Sequence, residues 1–333
     1  MVDENSGFSL WVDFIERDFI KSKLKNMVEY GTIDGATSNP SIFANAITKS
    51  PAYKEQLAQL DGLTPKQKYE ALAIADIKAA AQVLRDCYDK ALEGFVSLEV
   101  DPYLSNDTQG TIDEGLRLFQ AIDEPNVMIK VPATEAGYDA MTELMSRGIS
   151  VNATLVFSPE QAEKTLKAMK KGIDKFEQFG GRRVEGVISV FVSRFDRMLD
   201  NKLKEAGIPT ARTGVLNAAK IYNDIAKCKE PAIKILFAST GVKPEQGLEK
   251  DYYISSLCAK HSINTAPIET IEAYEQNPNK GKLALPIDMV TIRDHFDALK
   301  NIGIDMQEVY NTLMQDGLKA FEEAFTNMLK AIE

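Results

Sequence analysis

Eight short apolar segments, each followed by a stretch of helical periodicity, predict an α/β protein built as a closed (β/α)8 barrel. Three observations carry that prediction. The chain has 333 residues, enough for a barrel, which typically takes about 250. Its strand-like runs recur along the chain with helix-length spacers between them. No glycine-rich phosphate fingerprint follows the first run, which weakens the structural rival, a doubly wound open sheet.

The predicted strands are SLWVDF (9–14), TIDGAT (32–37), GFVSLEV (94–100), NVMIKV (126–131), SVNATLVF (150–157), GVISVFV (186–192), AIKILFAS (232–239) and SINTAP (262–267). Between the second and third, the segment 65–92 sets Tyr69, Ala73, Ile77, Ala80, Leu84, Cys87 and Ala91 on one helical stripe. The 277–289 stretch reads as loop. The last segment opens with Asp305 and has Glu308 three residues later, a capping-box pattern. Met306, Val309, Leu313, Phe321, Phe325 and Met328 then point to one face. No repeat, low-complexity tract or linker divides the chain. Residues 1–333 are therefore expected to form a single barrel domain, with 290–333 as appended C-terminal helices. Their apolar face can dock on the barrel or on a second subunit, so monomer and homodimer both stay open.

A net charge of −10 argues against a non-specific nucleic-acid binder, while a few convergent cations could still hold a small anion. Cys87, Cys228 and Cys258 are far apart and odd in number, and read as buried or semi-buried thiols in a reducing compartment. The first residues, MVDENSGF, are acidic and lack an apolar signal core, and no run approaches membrane-spanning length. A cytoplasmic protein is expected, with no membrane partner. His261 and His295, the only histidines, have no metal-pair spacing and read as surface or loop residues. Neither a metal nor another cofactor is expected.

Chemistry enters at Lys130, inside the apolar run NVMIKV. Burial disfavours the charged ammonium, so an amine held there becomes a nucleophile toward carbonyls. The blander reading is an edge-strand guard or a snorkelling side chain. Strand side chains alternate between two faces. In the fourth strand Val127, Ile129 and Val131 face the helices and Met128 and Lys130 face inward. By the same rule Trp11 and Asp13, Ser97 and Glu99, Asn152 and Thr154, and Ser189 and Phe191 face in, while Val151, Ala153 and Leu155 face out. Any one polar residue in such a set can be a hydrogen-bonded core group. Several strands aiming a lysine and two carboxylates at one interior form an acid/base constellation near the carboxyl ends, where barrel active sites are built.

At these residues the chain resembles the transaldolase family. DGATSNPSIF (34–43) is similar to the family's T-[ST]-N-P-[ST] signature, and VMIKVPATEAG (127–137) to the signature around its Schiff-base lysine. The likeness continues in family order through SLEVDPYLSND (97–107), SVNATLVFS (150–158), VISVFVSRFDRML (187–199), FASTGVK (237–243) and NTAPIETIEAY (264–274). The resemblance implies a cofactor-free enzyme acting on sugar phosphates. It implies Lys130 as the imine-forming nucleophile and Glu99 as acid/base through a water that Thr154 helps to hold. Asp13 would be the base at the donor C4 hydroxyl. Asn39, Asn152 and Ser189 would hold substrate hydroxyls, and Phe191 would stand near the catalytic water. Arg194 and Ser239 would bind phosphate. Where many members carry an arginine two residues after that serine, this chain has Gly241, and Lys243 would be the substitute cation. Two rivals remain: a fructose-6-phosphate aldolase-type lyase of the same superfamily, and a non-catalytic sugar-phosphate-binding barrel. Glutamate at 99 and phenylalanine at 191 resemble the transferase branch, since the aldolase branch tends to carry glutamine and tyrosine there.

Overall fold

The computed structural model describes residues 7–90, 93–181 and 183–333. Eight parallel strands close into a barrel in sequential order, β1 pairing with β8. The strands are β1 (Ser9–Val12), β2 (Gly35–Thr37), β3 (Val96–Glu99), β4 (Val127–Pro132), β5 (Val151–Val156), β6 (Gly186–Phe191), β7 (Ile233–Ala238) and β8 (Ser262–Ala266). Each lies within or beside its predicted run. β2 is shorter than predicted because Thr32 and Ile33 turn their N–H groups to the carbonyl of Met27, closing the preceding helix instead of joining the ladder.

Helices fill every crossover. Between β1 and β2 lie α1 (Arg17–Phe19), a single π turn and α2 (Lys25–Glu29). Then come α3 (Pro40–Lys49), α4 (Lys54–Ala58) and α5 (Pro65–Asp89) before β3. α6 (Thr108–Ile122), α7 (Glu135–Ser146) and α8 (Pro159–Gln178) follow β3, β4 and β5. α9 (Ser193–Glu205) and α10 (Thr213–Ile225) follow β6, and α11 (Tyr252–Leu257) follows β7. α12 (Ile268–Glu275), α13 (Met289–Asn301) and α14 (Met306–Ala331) complete the chain. None of the described helices is long and apolar enough to cross a membrane.

Local chemistry explains the principal starts. Thr64 with Gln67, and Ser158 with Gln161, form reciprocal capping boxes, each with proline at the first helical position. In α5 the predicted stripe is buried from Tyr69 to Leu84 and Cys87 is half-buried, whereas Ala91 lies outside the described residues. At α14 the predicted capping box is replaced by a simpler cap. Asp305 accepts the N–H of Gln307, and Glu308 is exposed.

Alternation sorts the strand residues into two apolar layers. Val96, Leu98, Val127, Ile129, Val131, Ile188 and Val190 pack outward beneath the helices. Trp11, Phe95, Met128, Val187, Leu236 and Ile263 fill the lower interior. Gly35 makes room for that plug: a Cβ there would sit 2.4 Å from Cε2 of Trp11, its register partner. In β5 the alternation breaks. The register to β6 shifts between Ala153 and Val156, and Leu155 has φ of 57°, a bulge that turns Leu155 inward after Thr154. The outward orientation expected for Leu155 is thereby corrected. His295 is also not a surface residue: it is buried between α13 and α10, with Nε2 2.9 Å from Thr213 Oγ1. Cys258 is buried, but Cys228 is exposed rather than buried.

Candidate active site

At the carboxyl ends of the strands, register alone sets out the first row of polar groups. Glu99 pairs with Lys130 across β3 and β4, and Lys130 with Asn152 across β4 and β5. These residues share one face because each occupies the inward parity of its strand. Lys130 is 5% exposed. Its Nζ donates to the Ser38 carbonyl at 3.0 Å and lies 3.5 Å from Glu99 Oε2. That carboxylate oxygen is buried and has no hydrogen-bond partner among the described residues, and neither has Thr154 Oγ1. Unpaired buried groups of this kind cost about 1–3 kcal/mol each and are kept only where something compensates.

Electrostatics follow from burial. It pushes the Glu99 carboxyl up to about 7, against the pull of Lys130 and with help from Asp13. Burial likewise raises the Asp13 carboxyl, opposed by Lys130 and by the Thr37 hydroxyl. Asp13 follows β1 and is fixed twice: its N–H bonds the Ala266 carbonyl and its Oδ1 accepts from Thr37 Oγ1 at 2.7 Å. Thr37 is in turn 2.6 Å from Thr265 Oγ1. The Lys130 amine thus sits among two carboxyls whose protonated forms burial favours, Glu99 titrating near neutrality.

A hydrogen-bonded belt positions the next residues. Ser189 Oγ donates to Asn152 Oδ1 at 2.6 Å, and Asn152 Nδ2 donates to Ser97 Oγ at 2.9 Å. Asn39 spends its side-chain oxygen capping α3 through the Ile42 N–H, leaving its amide nitrogen as a donor. Arg194, on the first turn of α9, lays its guanidinium 5.0 Å over the Phe191 ring. Burial and then Arg197 lower it to about 10, while Asp316 opposes them. No ion pair holds that guanidinium among the described residues, so it is a cation available to an anion. Ser239 has φ of 56° and places Oγ 3.1 Å from Ser193 Oγ.

Asp13, Asn39, Lys130, Asn152, Thr154, Ser189, Phe191, Arg194 and Ser239 line one cavity of about 110 Å³. Glu99 stands behind Lys130 rather than on that wall. Lys243 is not brought to the cavity; it is exposed on the turn after β7, its N–H bonded to Gln246. The sequence reading missed Thr37, Thr265 and Phe321, which also line the space. Thr37 and Thr265 could have been found by extending the inward parity to β2 and β8. Nothing local signals that Phe321, on a C-terminal helix, lies over the mouth. A larger cavity of about 360 Å³ at the opposite end is walled by Tyr222, Ile225, Ile233 and Ile235 together with Lys229, Glu230, Lys234, Lys260 and His261. Its only carboxylate among the described residues, Glu230, does not form the inward-facing pair with a buried lysine that Asp13 and Lys130 make. Chemistry rather than size identifies the site.

A family model described as Transaldolase/Fructose-6-phosphate aldolase matches residues 10–332. A transaldolase of Campylobacter jejuni is 44% identical over 334 residues, covering 98% of this chain and 99% of its own. A transaldolase of Helicobacter pylori is 43% identical over 325 residues, covering 97% of this chain and 99% of its own.

Proposed function

Because the chain belongs to the transaldolase/fructose-6-phosphate aldolase family, we propose that it is a cytoplasmic transaldolase of the non-oxidative pentose phosphate pathway. It transfers a dihydroxyacetone unit from sedoheptulose 7-phosphate or fructose 6-phosphate to glyceraldehyde 3-phosphate or erythrose 4-phosphate. The observation that carries this reading is Lys130 Nζ, buried and 3.5 Å from an otherwise unpartnered Glu99 oxygen, with Asp13 on the same cavity.

Lys130 attacks the ketose C2 carbonyl. Glu99, near neutrality in its titration, donates the proton that lets the carbinolamine lose water. A water bonded to Glu99 Oε2 and Thr154 Oγ1 satisfies both orphaned atoms and serves that exchange. Asp13 takes the C4 hydroxyl proton, the C3–C4 bond breaks, and its electron pair passes to the iminium to give an enamine. The first aldose leaves. The enamine carbon then attacks the acceptor aldehyde, Asp13 returns its proton to the new alkoxide, and water releases the product from Lys130. Asn39, Asn152 and Ser189 orient hydroxyls of the three-carbon unit. Arg194 and Ser239 bind phosphate.

Borohydride reduction in the presence of fructose 6-phosphate, followed by peptide mass spectrometry, tests this. A three-carbon adduct on Lys130 is expected; an adduct on another lysine, or none in active protein, overturns the assignment. Glu99 and Phe191 favour transfer over simple lysis, so turnover of fructose 6-phosphate should depend on an added acceptor aldehyde.

A further inference from the structure

The sequence leaves the apolar face of α14 free to meet either the barrel or a second subunit. It meets the barrel mouth. Phe321 is 5% exposed, lines the same cavity as Lys130, and centres its ring 6.0 Å from Lys130 Nζ. The helix is seated closely there: a Cβ on Gly317 would lie 2.9 Å from Leu155 Cδ2 and 3.2 Å from Arg194 Nη1. The inward-turned Leu155 of the β5 bulge is therefore part of its seat.

The helix is also tied on both sides of Phe321. Tyr310 OH donates to Asn217 Oδ1 at 2.9 Å, and Thr326 Oγ1 is 2.6 Å from Tyr103 OH. An aromatic ring fixed beside the lysine covers part of the space in which the proposed imine forms.

We propose that Phe321 is a specificity-determining residue, setting the competition between the acceptor aldehyde and water for the three-carbon unit on Lys130. This rests on the imine reading above. After the first aldose leaves, the bound enamine has two fates. Its C3 can attack an aldehyde, forming a C–C bond. Alternatively a solvent proton can reach C3, after which water adds at C2, the C–N bond breaks, and dihydroxyacetone leaves with the amine regenerated. A dry apolar ring over the adduct disfavours the second route, because it denies C3 a solvent proton donor. The ring face also favours the cationic iminium beneath it.

The test compares wild type with Phe321→Ala and with Phe321→Leu, which retains more of the apolar volume. Dihydroxyacetone release from fructose 6-phosphate alone is measured against transfer to erythrose 4-phosphate, alongside borohydride trapping. Phe321→Ala should raise the release-to-transfer ratio roughly tenfold while still trapping an adduct on Lys130, with Phe321→Leu in between. If Phe321→Ala fails to fold, a raised ratio in Phe321→Leu carries the same meaning. Adduct formation with an unchanged ratio in the folded variants overturns the role of Phe321 alone. Failure of wild type itself to form a Lys130 adduct overturns the imine reading and this inference with it.

Discussion

At the floor of the barrel Asp34, Glu93 and Lys234 form an interior charge cluster much as Asp13, Glu99 and Lys130 do at its mouth. Burial raises the carboxyls at both ends, Asp34 to about 8 and Glu99 to about 7. The difference lies in their partners. At the floor Ser9 donates to Asp34, and Lys234 pairs directly with Glu93. At the mouth Lys130 stays 3.5 Å from Glu99, whose Oε2 is unpartnered, beside a cavity edged by further donors. Shifted carboxyls therefore do not by themselves mark a site in this protein. Unmet hydrogen-bonding capacity converging on one space does.

Exchanging the lysines breaks the comparison most sharply. Lys130→Ala should lower turnover by roughly four orders of magnitude or more while the folded protein persists, seen by steady-state assay and circular dichroism. Lys234→Ala should do the reverse. It leaves buried Glu93 without its cation and costs about 1–3 kcal/mol in denaturant melts, a range discounted because Lys234 is partly exposed, with turnover retained. Equal effects on turnover would erase the distinction between the two ends.

Glu99→Gln should reduce turnover about 10²–10⁴-fold and remove the limb of the pH–rate profile centred near 7. A limb that persists in the variant belongs to another group.

Asp34→Asn addresses the floor alone. Asp34 titrates near 8 in the fold against an ordinary value of 3.8, so the folded state binds more protons across that interval. Its contribution to stability is full below about pH 4 and is lost as pH rises toward 8. The asparagine variant should melt above wild type at pH 8, with the gain shrinking toward pH 4. Identical melting temperatures across that range would remove the burial cost assigned to Asp34.

The smallest expected change is at Phe191, which walls the cavity beneath Arg194. Phe191→Tyr adds a hydroxyl near the proposed water and should shift products modestly from transfer toward release. No shift would place that water elsewhere.

Much of the barrel was legible because its signals are local. A strand's period of two assigns Glu99, Lys130, Asn152 and Ser189 to the interior from their neighbours alone, and the structure puts them there. The same rule failed at Leu155, where one residue of positive φ in a bulge restarts the alternation. It also could not locate Lys243, whose position depends on how a turn leaves the barrel rather than on strand parity.

By itself, then, the sequence determined the order of strands and helices, the inward set of each strand, and the candidate nucleophile with its two carboxyls. Hydrophobic alternation and cap chemistry act over a few residues and can be read there. Only the tertiary structure decided which interior lysine is partnered, that His295 is buried against Thr213, and that Phe321 lies over Lys130. Those outcomes join parts of the chain far apart in sequence, and their geometry exists only once the barrel has closed and α14 has crossed its mouth.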